Sequence, residues 1–280
     1  MKNWLIGLLL VVLAAAAYYY VKIYDPFAEE IAPPPMPTIA VEQLEPEPAP
    51  VEPAEEVIEI EPELAIVAEA IVLPALAQSD EWVLEALSGL AGEVSVMRFL
   101  VGDNVVSRFV ASVDALTSRQ VPGQIMVVQD LEGEFLATAN EQLDAVIRNA
   151  QGDPIPQYVL DPANYQRYES QVAMFEALDA QELVTLYRDY APLSQQAYVE
   201  LGYPDGDFNA RLIEVIDSLL ATPEIRQPPH LIKPEAFYLF TNPDLEALSA
   251  GQKALVRMGP INAQRVKAKL REIRAELVIP

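Results

Sequence analysis

The chain has 280 residues, room for one ordinary domain and more, and its Asp+Glu 42 against Lys+Arg 18 give a formal net charge of −24. That balance disfavours general binding to nucleic acid or to anionic lipid headgroups, both of which are held by Lys and Arg. There is no cysteine, so disulfides, thiolate metal sites and cysteine nucleophiles are excluded, and a domain of this size buries enough surface without such staples.

Residues 1–24 read as a short cytoplasmic end and a single-pass transmembrane helix. From Trp4 to Val21 no side chain is charged, and a run of that length falls in the range that crosses a hydrocarbon core about 30 Å thick. Trp4 at one end and Tyr18, Tyr19 and Tyr20 at the other suit the two headgroup regions. Lys2 precedes the run, and after Lys22 no Lys or Arg occurs until Arg98, so the expected orientation places the N-terminus inside and the rest outside. The small residues from Ala14 to Ala17 also fit a cleaved signal peptide; the tyrosines directly after them favour a retained anchor.

Residues 25–78 contain eleven prolines, thirteen acidic residues and no base. Proline fixes φ and like charges repel, so this stretch reads as a disordered Pro/Glu-rich linker that could span on the order of 150 Å in polyproline II. Its more apolar end, 57–76, could fold back onto the domain as a short strand or helix.

From residue 79 to 280 the apolar spacing turns helical, which predicts a mainly α, bundle-like extracytoplasmic domain. Ser79 is placed to cap a first helix carrying Trp82, Val83, Leu87 and Leu90. A second helix after Asp103 or Asn104 carries Val106, Phe109, Val110, Val113 and Leu116. Segments 124–129 and 134–138 flank an acidic Glu132-Gly133 turn and suggest a small β-hairpin, with 157–160 as a further extended piece. Asp161-Pro162 opens a helix with Tyr165, Tyr168, Val172 and Phe175 on one stripe. Asp179 with Glu182 forms a capping box for a long helix ending at Gly202, with a kink or break expected near Pro192. A nearly all-apolar helix over 208–221 belongs in the centre of the core. A proline-rich loop (227–234) and Ala236 to Phe240 follow. Asn242-Pro243 and the Ser249/Gln252 pair then open two short helices, and Gly259-Pro260 opens the last one, striped by Val266, Leu270, Ile273 and Leu277.

The runs 164–168, 183–225 and 237–274 resemble the bacterial family known as domain of unknown function 3014. The resemblance implies a single-pass protein of the cell envelope with a Pro/Glu spacer, and it supplies no activity or catalytic residues.

Candidate sites are few. His230 is the sole histidine, so a histidine-based zinc centre is disfavoured, and no GxSxG, HExxH, P-loop or GxGxxG pattern occurs; no cofactor is expected. Asp205, Asp207 and Asn209 have the spacing of a calcium loop, but Ala210 and Ile216 stand where its glycine and bidentate glutamate belong, so a turn capped by Asp207 is the better reading. Lys253, Arg257, Arg265, Lys267, Lys269, Arg271 and Arg274 concentrate seven bases in twenty-two residues, and residues 255–266 faintly resemble a phosphate-gripping helix-hairpin-helix. Lys267, Arg271 and Arg274 are thus candidates for contact with an anionic polymer or lipid, against the plainer alternative of a solvated helix face. Tyr165, Tyr168, Tyr187, Tyr190, Tyr198 and Tyr203 could line a binding groove or pack the core. The leading expectation is a non-catalytic interaction or scaffold module of the bacterial inner membrane, its domain in the periplasm and its partner another envelope protein. The alternatives are a hydrolase with a carboxylate-based site, and DNA or lipid binding through the basic C-terminal helix.

Overall fold

The computed structural model describes residues 73–92, 98–119, 125–129, 131, 133–140, 146–149, 151–234 and 237–279. The expected anchor and the linker before Leu73 lie outside the described residues. Among those described, no helix is long and apolar enough to cross a membrane.

A one-turn 3-10 helix (Leu76–Gln78) buries Leu76 against the core and leads into α1 (Asp80–Ala91). The Ser79 hydroxyl donates back to the Leu76 carbonyl rather than capping α1. Asp80 instead accepts from the backbone N–H groups of Asn104 and Val105, both at 2.8 Å, and so caps the neighbouring helix α2 (Val105–Ala115). Two short strands follow, β1 (Ala137–Ala139) and β2 (Gln157–Leu160). Asp161 caps a 3-10 helix (Pro162–Tyr168) that runs on into α3 (Glu169–Glu176). Asp179 caps α4 (Ala180–Glu200), and Asp207 caps α5 (Phe208–Leu220) through the Ala210 N–H. After β3 (His230–Ile232) and β4 (Leu239–Phe240), Asn242 caps α6 (Pro243–Glu246). A complete Ser249/Gln252 capping box opens α7 (Ala250–Arg257), and α8 (Pro260–Leu277) ends the fold.

α8 buries the whole stripe Val266, Leu270, Ile273 and Leu277 and packs on α3, α4 and α5; α2 packs on α4 and α5 from another side. α5 lies between them, with Phe208, Leu212, Val215, Ile216 and Leu219 all buried. α4 runs unbroken through Pro192, so of the expected kink or break the break does not occur. Pro192 faces solvent, while Tyr187, Leu193 and Ala197 on the opposite face are locked into the core, so packing overrides the lost hydrogen bond.

The small hairpin expected from 124–129 and 134–138 does not form. Val128 bridges to Leu100, and residues 137–139 pair with 157–160 in a four-stranded antiparallel sheet of order β1-β2-β3-β4. The buried Asn164 amide explains the choice: its Oδ1 accepts from Leu136 N at 2.9 Å while Leu136 O accepts from Asp161 N, which pins this segment beside the 157–161 chain. The proline-rich loop supplies β3, whose prolines Pro228 and Pro229 stop short of the first paired residue. Leu160, Leu231 and Phe240 from the sheet and Val256 from α7 make a second, smaller core.

Cations tie down helix ends, where carbonyls lack partners and the helix dipole is negative. Arg211 reaches the end of α2, where Nε meets Asp114 Oδ1 (2.7 Å) and Nη2 meets the Asp114 carbonyl (3.1 Å) and Thr117 Oγ1 (2.6 Å). Lys269 Nζ donates to Leu178 O (2.9 Å) just past α3, Lys267 Nζ to Thr222 O just past α5, and Arg188 Nη2 to Glu276 O (3.0 Å) in the last turn of α8.

Candidate functional site

The six candidate tyrosines do not converge. Tyr168, Tyr187 and Tyr198 are buried, and the latter two flank Phe208 with ring centroids at 6.4 and 5.5 Å, while Phe109 meets the same ring edge-on at 5.6 Å. Burial, with Asp207 nearby, pushes the Tyr187 phenol well above its ordinary value. Tyr203 is exposed, stacks on Tyr198 at 4.5 Å and donates its hydroxyl to Asp114 Oδ2 at 3.1 Å. Tyr190 is half-buried, and Tyr165 stands apart on the other side of the fold's second core.

The basic run is largely internal. Lys253 is buried on Glu246 (2.7 Å), and Arg257 is buried, donating to Tyr238 O (2.9 Å) and lying over the Phe135 and Phe240 rings. Arg265 bridges Glu169 and Glu176, Arg274 grips Asp217 with two nitrogens, and Lys267 and Lys269 serve the helix ends described above. Arg271 is exposed and forms no ion pair among the described residues. Asp207, the best-placed member of the calcium-like trio, holds the α5 N-terminus, and no cluster of three metal-ligating side chains occurs among the described residues.

Beside the Tyr187, Tyr198 and Tyr203 cluster around Phe208, the fold brings Tyr165 and Lys267 to one place. Both line a narrow cleft of about 30 Å³ between the 222–229 loop and the α7–α8 turn. Pro223 ends α5 and starts the loop; Pro229, Ile225 and Glu224 continue that wall, and Leu255, Val256, Pro260 and Ala263 form the opposite one. The turn is set by Gly259, at φ 86° and ψ 163°, a region that essentially only glycine adopts. A β-carbon there would also lie 2.5 Å from Tyr165 Cγ, so the ring rests directly on the glycine backbone. The buried Asn262 amide fixes this wall by donating to Tyr165 O (2.9 Å) and Met258 O (3.1 Å). Lys267 lies beneath, buried to 6% exposure; desolvation pulls its ammonium below the usual lysine value, with Glu224 opposing and Arg271 adding to that shift. Burial, with Asp161, raises the Tyr165 phenol.

The titratable groups of the cleft are Tyr165, Glu224 and Lys267, and Lys267 is committed to Thr222 O. The site offers apolar walls and the amides of Gln227 and Gln264, and its size suits the tip of one aliphatic side chain. Ile261, 72% exposed and the most exposed large apolar side chain among the described residues, follows cleft-lining Pro260 in sequence and does not itself line the cleft. Sequence reasoning found Tyr165, Lys267, the Gly259-Pro260 turn and the proline-rich loop from 227, but not that residues 222–229 form the facing wall of a cleft.

Residues 105–274, more than half of the chain and including the whole cleft, match the family described as "Protein of unknown function (DUF3014)". No curated protein matches the chain, and no solved structure does.

Proposed function

Because the chain belongs to the DUF3014 family of proteins of unknown function, whose matched region contains the cleft, we propose that it is a non-catalytic interaction module held at a bacterial inner membrane. In this reading, residues 1–24 anchor it, residues 25–78 tether it, and the helical domain works in the periplasm. The uncharged run from Trp4 to Val21 and the base-free acidic stretch after it support this layout.

The observation that carries the binding role is the narrow apolar cleft, with exposed Ile261 next in sequence to its lining residue Pro260. A cleft with an exposed aliphatic anchor beside it is the arrangement of a binding hot spot. The partner is a segment of another envelope protein that lays an apolar side chain between Pro223 and Pro260. Binding of DNA or lipid through the C-terminal helix is disfavoured, since Lys267, Lys269, Arg265 and Arg274 are engaged within the domain.

The test is site-specific photocrosslinking of the full-length chain in its own cells, with the crosslinking residue at Ile261 and, as a control, at exposed Arg148. A discrete adduct at Ile261, absent at Arg148 and weakened by Ile225→Glu, is the expected result. Equal labelling at both sites, or none at Ile261, removes the cleft from consideration.

A further inference from the structure

The cleft defines more about its occupant than apolar character. A volume of about 30 Å³ admits the tip of one aliphatic side chain and leaves no room for main chain, so the rest of an occupant lies over the mouth. Two of the lining residues, Gln227 on the loop wall and Gln264 on α8, are exposed, and neither side chain makes a hydrogen bond among the described residues. A carboxamide offers donor and acceptor together, the complement of a peptide unit. A helix uses its main-chain N–H and C=O groups internally, whereas an extended chain leaves them open to such side chains.

α8 carries a charge just beyond these amides. Arg271 follows Lys267 by one helical turn, is exposed, and makes no hydrogen bond or ion pair among the described residues. Its charge reaches the Lys267 ammonium in the cleft. Helical side chains lean toward the N-terminus of their helix, which directs the Arg271 guanidinium back over the Lys267 turn. Four residues of helix separate the two along the axis, about 6 Å. An extended chain advances about 6.6 Å in two residues and returns its side chain to the same face. The loop wall carries the opposite sign: Glu224 is exposed and forms no ion pair among the described residues.

We propose that the occupant of the cleft is an extended peptide segment with one aliphatic and one acidic side chain two residues apart. The aliphatic tip enters between Pro223 and Pro260, Gln227 and Gln264 hold the main chain on either side of it, and the carboxylate meets Arg271. This rests on the reading of the cleft as a binding site and adds the conformation and charge of what it binds. Glu224 repels a second acid on the other flank, so the acid lies on one side only.

The test uses the full chain in detergent and threonine peptides of about eight residues that carry one photoreactive leucine analogue, with a glutamate two residues before or two residues after it. The two orders cover both directions along α8. One of them is expected to crosslink to cleft residues within 222–229 or 255–267, with a yield that falls as salt is raised. Lysine in place of that glutamate should lower the yield, and Arg271→Gln should lower it about threefold, the scale of one exposed ion pair, with the circular dichroism spectrum unchanged. Gln264→Met, which keeps the side-chain length and removes the amide, should lower it as well. A peptide with α-aminoisobutyrate for threonine, which is held helical, should be captured poorly. Equal yields from glutamate and lysine peptides, indifference to Arg271→Gln or to Gln264→Met, or preferential capture of the helical peptide each overturns this inference while the cleft stands as a binding site. Absence of any crosslink at the cleft from every leucine peptide overturns the inference and the binding reading together.

Discussion

Gly259→Ala tests the geometry of the apolar cleft most directly. The backbone at φ 86° and ψ 163° lies where a residue with a β-carbon is strained, at about 1–3 kcal/mol. The added carbon also stands 2.5 Å from Tyr165 Cγ and 2.6 Å from Cδ1, and the ring cannot yield freely, because the Asn262 side chain holds the Tyr165 carbonyl. Displacing it adds a further overpacking cost, for a total of about 3 kcal/mol, which lowers the Tm of a domain of this size by roughly 10 °C. The assay is urea denaturation of the full chain followed by circular dichroism, run as a double-mutant cycle. In a Tyr165→Ala background the steric part disappears and the backbone part stays, so Gly259→Ala should then cost about 1 kcal/mol less. Gly89→Ala is the control: Gly89 sits in α1 with no atom within 4 Å of the added carbon, and there the substitution should be neutral or stabilising by about 0.5–1 kcal/mol. A Gly259→Ala change below about 0.5 kcal/mol would refute both the turn conformation and the ring's seat on it, and strict additivity with Tyr165→Ala would refute the ring's seat alone.

Three further outcomes are expected. Phe208→Ala removes a buried ring touched by Phe109, Tyr187 and Tyr198, and should destabilise by about 3–5 kcal/mol in the same denaturation assay; a loss under about 1 kcal/mol contradicts its central place. The Tyr203 phenol is raised chiefly by the Asp114 charge and then by its hydrogen bond to that carboxylate, so Asp114→Asn should lower it; ultraviolet titration against Tyr203→Phe isolates this group, and an unmoved midpoint rules out the contact. The Lys267 ammonium is depressed in the fold, chiefly by desolvation, so between that value and the unfolded 10.5 the unfolded chain binds more protons and stability rises with pH. Wild type should therefore gain on Lys267→Met as the medium is made alkaline through that window, and a gap that stays flat or narrows the other way would show that Lys267 is not buried.

What was legible in the sequence was local. Asp161, Asp179, Asp207, Asn242 and Ser249 are caps because a short acceptor can reach an N–H only two or three residues ahead, and each does so. The stripes Val106–Phe109–Val110–Val113 and Val266–Leu270–Ile273–Leu277 were readable from helical period alone. The sheet was hidden because its strands are two to four residues long and β2 pairs with β3 across a 3-10 helix and three α-helices, a pairing that no local pattern encodes. The same limit applies to the cleft. Gly259-Pro260 announces a helix start, but its meeting with Tyr165 depends on how α8 crosses α3. For the basic run, sequence shows charge and not partners: Lys267 and Lys269 are two residues apart, on either flank of a buried stripe, and each finds a different helix end.

That pairing of lysines with helix ends accounts for the domain's electrostatics. The buried charged side chains among the described residues are Lys253, Arg257, Lys267 and Lys269, the last two of which serve helix ends, and no carboxylate is among them. The asymmetry follows from where helix termini lie. The N-termini of α4, α5 and α7 carry short caps from their own sequence, so they need no long acidic side chain from elsewhere. The C-termini of α3 and α5 end with Ala177 and Ala221 as caps, lie against α8 and present carbonyls that require donors; a lysine with a long apolar stem can cross the core to reach them, whereas aspartate has neither the reach nor a proton to donate. Bases are thereby drawn inward and acids remain outside, so the outer surface is more negative than the residue count alone suggests.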